Sequence, residues 1–229
     1  MPRELLISFD ADQTLFDFQR ILDEALITTA SFLSHYSEKP ITPRRLKRIH
    51  KAFVEDADPN NIRLLEIRRA SFEQALNPLS NAKELSEQAL EIFKRVRFGD
   101  PYFYPHVKET LATLKRNYKT ALITNGNSCP KSAGIAHLFD FVVMAEEYPY
   151  RKPDPRLFDA MLSMAGMSPD KLIHVGDSLE HDIAGANNIG ATSVWFNPLH
   201  HDNSSPVLPD HSIACMRELP SLVAGYASR

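Results

Sequence analysis

Cysteine is scarce in this chain: Cys129 and Cys215 are two among 229 residues, too few for a disulfide framework. No apolar run is long enough to span a bilayer, and the opening MPRELLISFD lacks a signal-peptide core, so a cytoplasmic protein is expected. Neither sign of charge dominates. The 26 Lys and Arg against 29 Asp and Glu give a net charge of -3, which offers no electrostatic case for a nucleic-acid partner. Glycine-rich dinucleotide and Walker fingerprints are missing, as are internal repeats and low-complexity tracts. What remains, with 43% hydrophobic and 24% charged residues, is a globular enzyme or binding protein able to bury a sizeable core.

Four short apolar runs, LLISF, TALIT, FVVMA and LIHV, read as buried parallel strands, with TSVWF as a fifth. Each is rich in β-branched or aromatic residues and is followed by polar ones, the pattern of strands covered on both faces. Helical patterns alternate with them from about residue 105. In DPRLFDAMLSMAG, Asp154 can cap, Pro155 suits the first turn, and Leu157, Phe158, Met161 and Leu162 share a face. The expected fold is therefore α/β, a doubly wound, Rossmann-like parallel sheet.

Residues 16–98 differ. They show helical periodicity with no convincing strand, interrupted at Pro40, Pro43, Pro59 and Pro78. The expected organisation is an α/β core of residues 1–15 and 99–229, with an all-helical insert placed after the first strand. Open α/β sheets bind ligands at the carboxyl ends of their strands, and an insert there would cover such a site.

The strand ends carry the chemistry. The first ends at Asp10, with Asp12 and Thr14 following; the second at Thr124, then Asn125 and Gly126; the fourth at Asp177, with Asp182 beyond it. Lys152 follows the third. In a parallel sheet these residues share one crevice. Singly, each is an ordinary turn or cap residue; together they concentrate carboxylates that repel one another. Two at 4 Å cost about 4 kcal/mol at an effective dielectric near 20. A hard divalent cation with oxygen ligands relieves that repulsion, and magnesium fits. An EF-hand does not: Leu15 stands where its glycine belongs and Ile21 where its glutamate belongs. His200 and His201 read as a solvated loop pair.

FDADQTLF, LITNGN, RKPDPRLF and HVGDSLEHDIAGANNIG, in this order, resemble the four motifs of the haloacid dehalogenase-like hydrolases, specifically phosphatases with a helical cap after the first motif. FDADQTLF and TNGN most resemble members acting on nucleoside monophosphates, flavin mononucleotide or related small phosphomonoesters. The resemblance implies Asp10 as nucleophile and Asp12 as general acid and base. Thr124 and the Asn125 backbone amide would hold phosphoryl oxygens, and Lys152 would pair with nucleophile and phosphate. Magnesium would be held by Asp10, the Asp12 backbone carbonyl and Asp177, with Asp182 supporting through water and Thr14 positioning the loop.

The pattern departs at Gln13, where glycine is usual: a side chain is acceptable there if the local φ is negative, and it either projects toward the cap to touch substrate or, as expected of glutamine, faces solvent. Other members of the superfamily stay open. A dehalogenase would not need Asp12, a phosphonatase would want a cap lysine that none of Lys39, Lys47, Lys51, Lys83 and Lys94 clearly supplies, and a phosphosugar mutase shares every core motif. A non-catalytic binding module would have no use for so costly a charge cluster. In the insert, Arg63, Arg68 and Arg69 are expected mainly to face solvent, with at most one or two reaching substrate.

Overall fold

The computed structural model describes residues 5–57, 63–99, 101–128 and 130–227; Pro59 and Cys129 lie outside them. The chain divides into two compact units, one of residues 1–17 with 103–229 and one of residues 18–102.

The first unit is built on a six-stranded sheet. Its strands are β1 (Leu6–Phe9), β2 (Lys119–Thr124), β3 (Phe141–Met144), β4 (Leu172–Gly176), β5 (Thr192–Phe196) and β6 (His211–Ile213), in the order β3-β2-β1-β4-β5-β6. Every neighbouring pair is parallel. The central strands are wholly buried, as their unbroken apolar runs require. Strand β6 lies beyond the five that the sequence predicts: it has three residues, and its Ser212 is exposed.

Between the strands run α5 (Val107–Asn117), α6 (Pro155–Ala165) and α7 (Ala184–Asn188), and α8 (Leu219–Ala227) follows β6. Helix α6 starts as its sequence dictates: the Asp154 side chain accepts from the Arg156 amide at 3.0 Å, with Pro155 in the first turn. Leu157, Phe158, Met161 and Leu162 are buried in one cluster with Leu6, Ile123 and Val143 of the sheet.

The second unit holds α1 (Phe18–Ser34), α2 (Pro43–Glu55), α3 (Leu64–Leu76) and α4 (Ala82–Arg97). Numbered with the helices above, these complete α1 to α8. Leu26, Leu33, Leu46, Phe72, Leu85, Ala89 and Phe93 share its core. Thr42 caps α2 by accepting from the Arg45 amide at 3.2 Å, with Pro43 following. Among the described residues, no helix is long and apolar enough to cross a membrane.

Candidate active site

Register fixes the site. Phe9 of β1 lies beside Leu122 of β2 and Val175 of β4, so the three strands end at one level. The Asp10 amide still donates to the Val175 carbonyl at 2.9 Å, which ties the first aspartate to β4.

Lys152 organises the carboxylates. Only 1% exposed, its Nζ donates to Asp10 Oδ1 at 2.6 Å, Asp182 Oδ1 at 2.7 Å and the Ile123 carbonyl at 2.8 Å. Three directed donors thus meet three acceptors, as a buried ammonium requires. Asn125 sets the Lys152 backbone with a two-way clamp: its Nδ2 donates to the Lys152 carbonyl and its Oδ1 accepts from the Lys152 amide, both at 2.8 Å.

Asp182 is positioned by a π-turn over Leu179–Ile183, in which the Ile183 amide donates to the Ser178 carbonyl at 3.1 Å. Its Oδ2 accepts from the Ser178 amide at 3.0 Å. A side chain at Gly176 would collide with this carboxylate, so glycine is the residue that admits it. Behind it stands His174, wholly buried, with Nε2 at 3.3 Å from Asp182 Oδ1 and Nδ1 at 2.8 Å from the Ser8 hydroxyl. An ionised carboxylate can only accept, so Nε2 carries the proton and Nδ1 accepts from Ser8. Burial, only partly opposed by Asp182, lowers the His174 pKa and keeps the ring neutral.

Asp177 completes the cluster. Its Oδ1 accepts from the Thr14 hydroxyl at 3.4 Å, and its backbone carbonyl accepts from Trp195 Nε1 at 2.8 Å. Oxygens of Asp10, Asp177 and Asp182 lie within 4.8 Å of one another.

Three carboxylates face one ammonium, and the electrostatics follow. Burial, reinforced by Asp182, pushes Asp177 up to about 7. Burial raises Asp10 well above the usual carboxylate range, Lys152 opposing and the other aspartates adding to it. Asp182 shares that burial, but Lys152 and His174 hold it below the usual range. Lys152 is pushed upward because Asp10 and Asp182 outweigh the cost of burying its charge. This donor set is hard, oxygen-only and short of positive charge, so it fits a divalent ion of the magnesium or calcium kind. Asp10 and Asp177 suit direct ligation. Both Asp182 oxygens already accept protein hydrogen bonds, which suits a supporting place.

Asp12 turns toward the loop after β2. Its carboxylate accepts a short hydrogen bond from the Ser128 hydroxyl, and a side chain at Gly126 would collide with it. Thr124 Oγ1 accepts from the Gly126 amide at 3.0 Å. Nothing in the sequence singles out Ser128, Ser8, His174 or Trp195; only their placement beside the strand ends marks them.

Gln13 departs from expectation. Its φ is 64°, in the left-handed region where glycine is favoured. Its side chain is half-buried, and Nε2 donates to the Tyr104 hydroxyl at 3.3 Å. His200 and His201 are exposed, in keeping with a solvated loop pair.

A parallel sheet with this carboxylate–lysine cluster at its strand ends defines a class of hydrolase, and the family model agrees. The haloacid dehalogenase-like hydrolase model matches residues 5–190, and the chain belongs to that family. It is 28% identical over 235 residues to the pyrimidine 5'-nucleotidase YjjG of Escherichia coli, covering 96% of this chain and 98% of that protein. Human N-acylneuraminate-9-phosphatase is 28% identical over 242 residues, covering 97% and 95%. Among solved structures, a 2-haloacid dehalogenase from Pseudomonas syringae superposes with a TM-score of 0.83 at 29% identity, covering 97% of this chain and 99% of that one.

Proposed function

We propose that this protein is a cytoplasmic, magnesium-dependent phosphomonoester hydrolase that acts on a small phosphorylated metabolite through an aspartyl-phosphate on Asp10. The observation that carries this reading is the Lys152 bridge between Asp10 and Asp182 beside Asp177. It presents one carboxylate for attack in a site set up to receive a dianion and its counter-ion.

Lys152 holds Asp10 Oδ1, which leaves Oδ2 as the attacking atom. The Oδ2–P bond forms as the P–O ester bond breaks, and the electron pair leaves on the ester oxygen. Asp12 protonates that oxygen, then takes a proton from the water that attacks phosphorus and frees Asp10. The Thr124 hydroxyl and the Asn125 amide hold the equatorial oxygens where charge accumulates, and Lys152, its three N–H bonds committed to Asp10, Asp182 and the Ile123 carbonyl, offsets that charge through its ammonium field. A bound magnesium, held by Asp10, the Asp12 carbonyl and Asp177 with Asp182 in support, would neutralise phosphoryl charge. The helical unit, inserted after β1, serves as the substrate-selecting cap.

The similarity to a 2-haloacid dehalogenase raises a second reaction. A halide leaves without needing a proton, so that chemistry gives Asp12 no task. Two assays decide: phosphate release from nucleotides, flavin mononucleotide and sugar phosphates, with and without magnesium, and halide release from 2-haloacids. Magnesium-dependent phosphate release supports the proposal. Halide release alone would replace it, and conversion to isomeric sugar phosphate would make the protein a mutase.

A further inference from the structure

Among the described residues, two buried side-chain atoms have no hydrogen-bond partner, and both lie in the helical unit: Nδ1 of His50 on α2 and Nη1 of Arg68 on α3. Expected mainly at the surface, Arg68 is instead 8% exposed, with its guanidinium over the Phe93 ring at 5.1 Å. No described carboxylate pairs with it. On its own helix, Glu73 is taken by Arg69 at 2.7 Å, and Glu66 is exposed.

Arg97 on α4 is 7% exposed. Burial, and then the charge of Arg97, lower the Arg68 pKa to about 10, which still leaves it ionised at neutral pH. His50 is pressed down to about 4, by burial first and Arg68 second, so it is neutral and able to present an N–H. A buried guanidinium without a counter-charge is costly, and a donor left unpaired adds to that cost. An anion would remove both penalties at once. The planar fork of an arginine matches the paired oxygens of a phosphate or a carboxylate.

We propose that Arg68, with His50, forms an anion-binding site inside the helical unit that takes a phosphate or carboxylate group. The site stands on the burial of Arg68 against Phe93 and on the unpartnered Nη1 and Nδ1 atoms, and it does not depend on the reaction assigned to Asp10. The anion can come from two sources, a second anionic group on the substrate or a free ion.

The test reads Arg68 itself in the full chain. Its side-chain N–H resonance, assigned by its loss in Arg68→Lys, is followed by NMR while inorganic phosphate and then acetate are added. A saturable shift that weakens in His50→Gln is expected. A resonance unmoved by millimolar concentrations of either anion overturns the site. If Arg68→Lys does not fold, the assignment comes from selective arginine labelling of the unaltered protein.

A kinetic arm then separates the sources. If the substrate supplies the anion, Arg68→Lys lowers kcat/KM by about tenfold or more, the scale of one charge-assisted hydrogen bond, for esters with a second anionic group only. An unchanged ratio alongside the NMR shift assigns the site to a free ion. Should no ester be turned over at all, the phosphatase reading fails while the NMR result stands.

Discussion

Nζ of Lys152 donates to Oδ1 of Asp10 at 2.6 Å in a setting where neither group has appreciable contact with water. Removing one partner of such a pair leaves the other as an uncompensated buried charge, at a cost of about 3–5 kcal/mol. Lys152→Met should lose stability on that scale in urea denaturation under chelating conditions. Lys152→Met combined with Asp182→Asn should lose less, because the second change removes one of the stranded charges. Equal losses would mean that Asp182 does not share the ammonium.

Ser8 and His174 are register partners on β1 and β4, and they place the imidazole N–H against Asp182. His174 is therefore a positioning residue that acts through Asp182 and Lys152. His174→Phe keeps the ring but not the donor, and it should lower kcat with KM little changed. His174→Gln, which can return an N–H near the same place, should recover much of the loss. If the two variants lose kcat equally, the hydrogen bond to Asp182 is irrelevant to turnover and the ring matters only for packing.

The strands that carry Asp10, Thr124 and Asp177 are legible in the sequence because each is an unbroken apolar run closed by polar residues. Their convergence follows from parallel pairing alone. The Ser8–His174 contact is not legible, because it depends on which residues of two distant strands stand opposite each other. Strand β6 escapes because three residues, one of them exposed, give no periodicity to read. Arg68 contradicts its sequence-based expectation for a third reason: arginine is usually exposed, and the burial of this one is decided by how α2, α3 and α4 pack. The sign of the Gln13 φ is likewise set by the loop, whose Gln13 amide donates to the Phe16 carbonyl at 2.8 Å, and the side chain does not announce it.

At Gln13 the backbone is left-handed, which costs a non-glycine residue roughly 1–2 kcal/mol. Gln13→Ala and Gln13→Gly both remove the hydrogen bond to Tyr104, so comparing them isolates the backbone contribution. Glycine carries a larger entropy cost on folding, which offsets part of the relief. Gln13→Gly should still be more stable than Gln13→Ala, by about 1 kcal/mol or somewhat less. A more stable alanine variant would show that the loop does not hold this φ in solution.

Asp177 gives the pH dependence. Its folded pKa of about 7 lies above the ordinary carboxylate value of 3.8, so between these limits the folded state holds a proton that the unfolded state has released. Stability then falls as pH rises from about 4 to 7. In the presence of chelator, the unaltered protein should lose stability relative to Asp177→Asn across that window. Magnesium should reduce the loss, since cation binding favours the deprotonated carboxylate. Parallel curves for the two proteins in chelator would contradict the burial and charge crowding assigned to Asp177.

A covalent bond between Asp10 and phosphorus is the centre of the proposed mechanism. Acid quenching during turnover of a phosphomonoester, followed by digestion and mass spectrometry, should find the phosphoryl group on the peptide that carries Asp10. It should be absent from Asp10→Asn, which should also lack activity. Phosphate release with that peptide unmodified, together with an active Asp10→Asn protein, would contradict the account.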